Sequence, residues 1–596
     1  MADSPERVIR IGAGAGFWGD SMSSARDLVT HADLDYLVFD YLAEITMSIL
    51  ARMHAKDPTQ GYARDFVTVA ADVMAVCIER GTRIITNAGG INPIGCRDAL
   101  AEELEARGLR VKIAVVLGDD LTDRADVIRK DGMRDMFTGE AVPSDLVSVN
   151  AYLGATPIAE ALASGADVVI TGRCTDSAVV LGPLLHEFGW APDDYDKLSA
   201  GSLLGHLIEC GPMVTGGLHT DWQAIEGWDR ISFPIAECYA DGSGVITRAT
   251  ELGGSVTPAI VAEQVVYEIG DPSAYVLPDV ICDWREVSLE SVGADRVLVR
   301  GARGRKPSDS YKVSATYEDG YRATTTLTLV GGDATAKARA VAAMIRMRTE
   351  RILSAKGLDS FTRFDAEILG AESMYGTAAR SKPREVVLKV AVSHPDRAAV
   401  LVFASEIAPA LTSTAPGITG FFAGRPAAVP IIRLTSFLYP KSDVTISVEF
   451  EGEKRTVAVE PGSGDEIAPT VSGTPAIAMV RIPLSRLAYG RSGDKGNIAN
   501  IGVVARDPSF VDVLEETVTE EFVARAFGHF VKGTVTRYPL GGIHAWNFVL
   551  TEALDGGGVT SLRMDPQAKA FASILLDSEV EISRTKAVDL GLVDSL

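Results

Sequence analysis

The sequence predicts an α/β protein: a mainly parallel sheet flanked by helices, an adjoining α+β unit, and a small C-terminal ferredoxin-like α/β sandwich. Three observations predict it. In the first 180 residues six short apolar stretches, VIRIG, YLVFD, RIITN, IAVVLG, LVSVN and DVVITG, each run into a small polar turn, with helical patterns between several of them. Unbroken Val/Ile/Leu runs mark parallel strands buried on both faces. From about residue 290 the texture changes to β-branched strand patterns around one long helix. Over residues 480–586 two helices alternate with several strands, as in a ferredoxin-like fold.

In order, residues 7–290 are read as the first domain, with all six stretches, LVSVN included, in its sheet. Helices are expected over 70–80, 98–107 and 158–164, with Gly81 and Gly165 as C-terminal stops and Pro157 in a first turn. Residues 291–450 form the α+β unit, packed on the first. Its strands are expected at 297–299, 311–317, 321–330, 364–368, 386–392, 429–437 and 443–450. Its helices are DATAKARAVAAMIRMRTERILSAKG, between an Asp333 cap and a Gly357 stop, and 396–409. Residues 451–478, rich in Gly, Pro, Ser and charge, read as a linker. In 479–586 the turns GRSGDKGN and GGIHAWN separate strands at 480–482, 500–504, 533–538 and 546–551, with helices at 515–526 and 565–574.

A chain of 596 residues exceeds one hydrophobic core. With 46% apolar and 23% charged residues it is an ordinary folded protein. A net charge of −23 argues against nucleic acid or an anionic membrane surface as the main partner. It leaves room for an anionic small molecule, since helix N-termini, Arg and Lys can make a site locally positive. The polar start MADSPER gives no signal peptide, and no run reaches the roughly 20 apolar residues that membrane insertion needs. Six cysteines scattered without CxxC or metal spacing suit a reducing cytoplasm. Chains of this kind are commonly homo-oligomers.

Ligands of parallel sheets sit at the carboxyl ends of the strands, which makes the polar turns the candidate site. In GAGAGFWGD, Gly12, Gly14 and Gly16 would let backbone approach an anionic group, and Asp20 is a candidate acid/base or a helix cap. The spacing is not the dinucleotide fingerprint G-x-G-x-x-G. In NAGGINP, Asn87 and Asn92 flank Gly89 and Gly90, a cradle for a carbonyl or carboxylate, or an ordinary turn. Asp119 and Asp120, with the pair Asp40 and Glu44, put carboxylates on the same edge; one of them takes a proton, finds an Arg, or binds a cation such as Mg²⁺. Arg173 and Asp176 in TGRCTD offer such pairing. His219, near Asp221, is the proton-transfer candidate, and His206 reads as structural. In the last domain Arg491, Asp494, Lys495 and Asn497 are suited to phosphate or carboxylate, with His544 in the later turn. No nucleophile-elbow or zinc-protease motif is present.

IGAGAGFWGD, TNAGGINP, TGRCTDSAVVLGPL, GLHTDW and ELGGSVTPAIV together resemble the acyclic terpene utilization family, AtuA, and GRSGDKGNIANIGVVAR with GGIHAWNFVL resembles the small ferredoxin-fold domain often found at its C-terminus. The resemblance implies a place in catabolism of citronellol- and geraniol-type compounds through branched, carboxylated acyl-CoA intermediates. It supplies no catalytic residues.

The site inventory, acids, amides and one His, suits proton abstraction beside a carbonyl by a hydratase, lyase or isomerase acting on an acyl-CoA or related carboxylate. Asp20 or His219 would be the base, Asn87, Asn92 and glycine N–H groups the enolate stabilisers, and Arg173 the carboxylate clamp. The residues single out no cofactor beyond a CoA thioester as substrate, with Mg²⁺ at Asp119 and Asp120 left open. Two other readings stand beside this one: a non-catalytic binding or assembly subunit, and a dinucleotide-dependent oxidoreductase.

Overall fold

The computed structural model describes residues 7–419, 424–459, 462, 479–558 and 560–592. The six apolar stretches form strands β1 (Ile9–Ala15), β2 (Tyr36–Phe39), β3 (Arg83–Thr86), β4 (Ile113–Leu117), β5 (Leu146–Ala151) and β6 (Val168–Thr171). Five of them lie side by side in the order β1-β2-β3-β6-β4, every pair parallel. All are buried through most of their length, as helices on both faces require.

β5 departs from the expectation. It pairs antiparallel with the strand Ser310–Val330 in a second sheet, where the hydroxyls of Ser148 and Thr316 bond at 2.7 Å. A strand carrying Ser and Asn gains cross-strand hydrogen bonds on a threonine-rich neighbour that an all-apolar neighbour does not offer. The two strands expected at 311–317 and 321–330 are this one strand, with an irregularity between Glu318 and Tyr321.

The first sheet grows at both edges by antiparallel strands. Beyond β1 come β7 (Pro234–Cys238), β8 (Gly244–Arg248), Arg296–Arg300 and Ser288–Gly293; beyond β4 comes the hairpin Ser447–Phe450 with Glu453–Thr456. Strands from both sides of residue 290 therefore build one sheet. The second sheet joins Arg363–Leu369, Glu385–His394, Ser310–Val330 and Val429–Pro440. Helices Ala334–Ala355 and Arg397–Ser413 cover it through a separate core of Leu327, Ile345, Leu388 and Phe403. Asp396 caps the second helix by accepting from Ala398 N–H.

Residues 453–456 of the expected linker are strand, and the rest beyond 459, apart from 462, lies outside the described residues. The C-terminal domain is a four-stranded antiparallel sheet ordered Ala488–Lys495, Ile498–Ala505, Ala545–Leu550, Val535–Leu540. Helices Val511–Thr517, Glu520–Ala526 and Phe571–Leu576 back it. The helix expected over 515–526 breaks where Thr519 caps a new start, accepting from Phe522 N–H. GRSGDKGN, expected as a turn, is strand as far as Lys495. Ser492 is tied to Ala568 O at 2.6 Å and Arg491 to an acid of the first domain, so both extend into packed surroundings. No helix among the described residues is long and apolar enough to cross a membrane.

Candidate functional site

The carboxyl ends of β1, β2 and β6 open on a cavity of about 1140 Å³. Other segments complete it, among them the end of helix Tyr195–Ile208 with the residues after it, the stretch 267–278, and the hairpin 494–500 with Lys569 of the C-terminal domain. Its mouth carries large exposed apolar side chains, among them Phe17, Leu218 and Trp228.

The inner wall gathers carboxyl groups. Asp40, at the end of β2, is buried; it accepts from Asn87 Nδ2 and from Leu42 N–H at 3.3 Å. Burial, reinforced by nearby Asp176 and Glu209, pushes its carboxyl well above the usual range. Glu209 is pushed up in the same way, by burial first and by Asp176 second. Arg173 donates to Leu42 O at 2.6 Å and to Asp176 at 2.8 Å, and lies over the Tyr152 ring at 4.2 Å.

His206 fixes how Glu209 is protonated. Burial pushes the imidazole down to about 4, so it is neutral at pH 7. Its Nε2 is 2.9 Å from Gln264 O, a carbonyl that can only accept, so Nε2 carries the hydrogen. Nδ1 is then an acceptor, and it faces Glu209 Oε1 at 3.5 Å. A protonated Glu209 fits that lone pair; an ionised one would set acceptor against acceptor.

The sequence-derived candidates divide into three groups. Gly16, Asp20, Arg173, Asp176, Asp494 and Lys495 line the cavity. Asp20 does so with both oxygens engaged, accepting from Gly16 N–H at 2.8 Å and Ser21 N–H at 2.7 Å. Gly16 is needed because a β-carbon there would come within 2.8 Å of the Cys210 carbonyl carbon.

A second group is spent inside the protein. A β-carbon on Gly14 would lie 2.5 Å from the Phe39 ring and one on Gly12 2.7 Å from Leu34, so these glycines admit side chains, not an anion. Asn87, fully buried, accepts from Tyr41 N–H at 2.7 Å and donates to Asp40, so it reaches the site only through Asp40. Asn92 is the N-cap of helix Pro93–Ala106: it accepts from Gly95 N–H at 2.9 Å and donates to Pro58 O and Gln60 O. The N–H groups of Gly89 and Gly90 go to Thr171 O and Asn87 O. The expected cradle is thus a packed turn. Asp119 accepts from Arg173 N–H at 2.7 Å and from Asn150 at 3.1 Å, while Asp120 lies on a separate surface hollow. Burial pushes Asp119 up to about 7. Among the described residues no cluster of three or more His, Cys, Asp or Glu is arranged to hold a metal ion.

The third group joins the domains. His219 does not line the cavity. Its Nδ1 is 3.0 Å from Glu263 Oε1, it stacks on Tyr489, and Arg491 donates to Glu263 Oε2 at 2.8 Å, all in buried surroundings. Arg506 grips Asp221 with two bonds of 2.6 Å alongside. Asn497 ties its turn to the loop after strand Ala545–Leu550, accepting from Gly556 N–H at 2.8 Å, and His544 is an exposed turn residue with φ 53°. The expectations for His219, Asn92, Arg491 and Asn497 as ligand-contacting groups therefore give way to structural roles, and His544 is not among the residues lining the cavity.

Asp40, expected only as one of the carboxylates on this edge, is in the cavity wall, and Glu209, Glu268 and Lys569, which were given no site role, are there with it. Two signals were legible. His206 and Glu209 are three apart on an otherwise apolar helical run, which puts a polar pair on one buried face. Asn500 interrupts the apolar strand IANIGVV.

The fold and cavity define an α/β protein whose largest described cleft is lined partly by residues of an appended ferredoxin-like domain. The family model for the acyclic terpene utilisation family protein AtuA matches residues 9–450, and that for the AtuA ferredoxin-like domain matches 482–581. The chain belongs to the acyclic terpene utilisation family. No curated protein and no solved structure matches it.

Proposed function

We propose that the protein catalyses proton transfer beside a carbonyl group, as a hydratase, lyase or isomerase of acyclic terpene or branched-chain acid catabolism. Its substrate would be a branched apolar carboxylate or its CoA thioester. One observation carries this reading. Glu209, its carboxyl pushed up by burial, lies 3.5 Å from neutral His206 and near Asp176, which pairs with Arg173 at 2.8 Å. A carboxyl group that burial keeps protonated, beside a second carboxyl group held by an arginine, is a pairing suited to an acid and a base. In this scheme Asp176 takes the proton from the carbon beside the carbonyl, and Glu209 supplies one to the developing oxygen or leaving group. The apolar mouth suits a hydrocarbon chain, and nothing in the scheme requires a nucleotide cradle at β1.

Two measurements test it. Geranate, citronellate and their CoA thioesters are added at saturation and melting is followed; a rise of a few degrees with at least one is expected from binding linkage. If none raises the melting temperature, the substrate class is wrong. With a turned-over substrate, Glu209→Gln should lower kcat by about 10²–10⁴, the usual contribution of a general acid, with KM little changed. Unchanged kcat removes Glu209 from the chemistry.

A further inference from the structure

Glu268 lies in the cavity wall outside the acid–base pair just described. Its backbone has φ 52°, in the left-handed region that a residue with a β-carbon seldom adopts. Such a conformation persists only where the surroundings over-determine it, and it clusters at functional sites. Here the surroundings come from the other domain. Asn500 donates to Val266 O at 2.9 Å and accepts from Glu268 N–H at 2.8 Å. Asn547 donates to Ile269 O at 2.7 Å and Gly270 O at 2.6 Å, and the two amides also bond each other. Two buried amides of the C-terminal sheet thus satisfy four backbone groups of one five-residue segment of the first domain. Gly502 allows the approach, since a β-carbon there would lie 2.0 Å from Val266.

The clamp sets the Glu268 carboxylate between two ammonium groups of the C-terminal domain: Lys569 at 2.9 Å and Lys495 at 3.4 Å. Lys569 also donates to the Tyr267 hydroxyl, which uses two of its three N–H donors. Burial opposes ionisation of Glu268, yet the two lysines hold its carboxyl below the usual range. Both lysines line the cavity.

We infer that this seam is an anion subsite. Lys569 and Lys495 grip a carboxylate or phosphate oxygen of the substrate, and Glu268, fixed by Asn500 and Asn547, is the positioning residue that holds both ammonium groups at the cavity wall. The inference rests on the substrate class proposed above and adds that substrate retention depends on the docked C-terminal domain.

The test is calorimetric titration of the full chain with geranate, geranoyl-CoA and uncharged geraniol. Lys569→Met is expected to weaken at least one of the two anions tenfold or more while leaving geraniol unchanged, and Lys569→Arg to keep the affinity. Loss for geranate identifies the carboxylate as the group gripped; loss for the thioester alone identifies the phosphates. Asn500→Ala should reproduce the selective loss and quicken amide exchange over residues 266–270. Equal binding of both anions by Lys569→Met and wild type, or equal loss of geraniol, overturns the subsite. If wild type binds none of the three, the proposed substrate class fails, and inorganic pyrophosphate then decides the subsite. A melting shift with pyrophosphate in wild type that Lys569→Met lacks supports it, and no such difference rejects it.

Discussion

The turn after β3 and the helix end at His206–Glu209 both bring polar groups towards the sheet's carboxyl edge, and they use them in opposite ways. In the turn every amide and glycine N–H has a partner in the protein, so Asn87, Gly89, Gly90 and Asn92 build a rigid corner. At the helix end two groups share one contact that depends on protonation, and both face a cavity. Residue type does not separate the two regions, since both are rich in polar side chains beside glycine. Hydrogen-bond accounting does: a buried polar group already satisfied by backbone gains nothing from a ligand.

Three substitutions sharpen this contrast, the largest effect first. Arg491→Met should cost about 3 kcal/mol, because it leaves Glu263 buried with a reduced set of partners. Denaturant unfolding measures it, and a cost under about 1 kcal/mol would move the Arg491–Glu263–His219 group out of the structural class.

Asp119 sharpens it through pH. Its folded pKa of about 7 lies above the ordinary 3.8, so protonated Asp119 stabilises the fold at low pH and the contribution is lost as pH rises through 7. Relative to Asp119→Asn, wild type should lose stability between pH 3.8 and 7, with a slope of up to about 1.4 kcal/mol per pH unit. Parallel stability curves for the two proteins across that window would show that Asp119 keeps its charge.

The smallest effect is expected at Asn92. Asn92→Ala removes a helix cap and should cost about 1 kcal/mol, with ligand affinity unaltered. A tenfold fall in affinity with unchanged stability would return Asn92 to the site.

Much of the fold was legible because burial on both faces leaves an unmistakable apolar run, and glycine or proline marks where each run stops. β5 was misplaced because its period and composition fit a strand without naming a neighbour. The site was legible as an edge: Asp20, Arg173, Asp176 and Lys495 do meet one cavity. The groups proposed to act in it were less legible. Glu209 and Glu268 sit beside ordinary apolar residues, and nothing local shows that Glu268 is held at φ 52° by two amides more than two hundred residues away.

By itself the sequence determined the layers, the family and the edge where polar turns collect, since periodicity, turn chemistry and motif are local properties. The tertiary structure alone decided which polar groups were consumed by backbone and which faced a cavity, and that the C-terminal domain walls it. That decision depends on long-range partners and on burial, which sets protonation, and neither is written in any short stretch of chain.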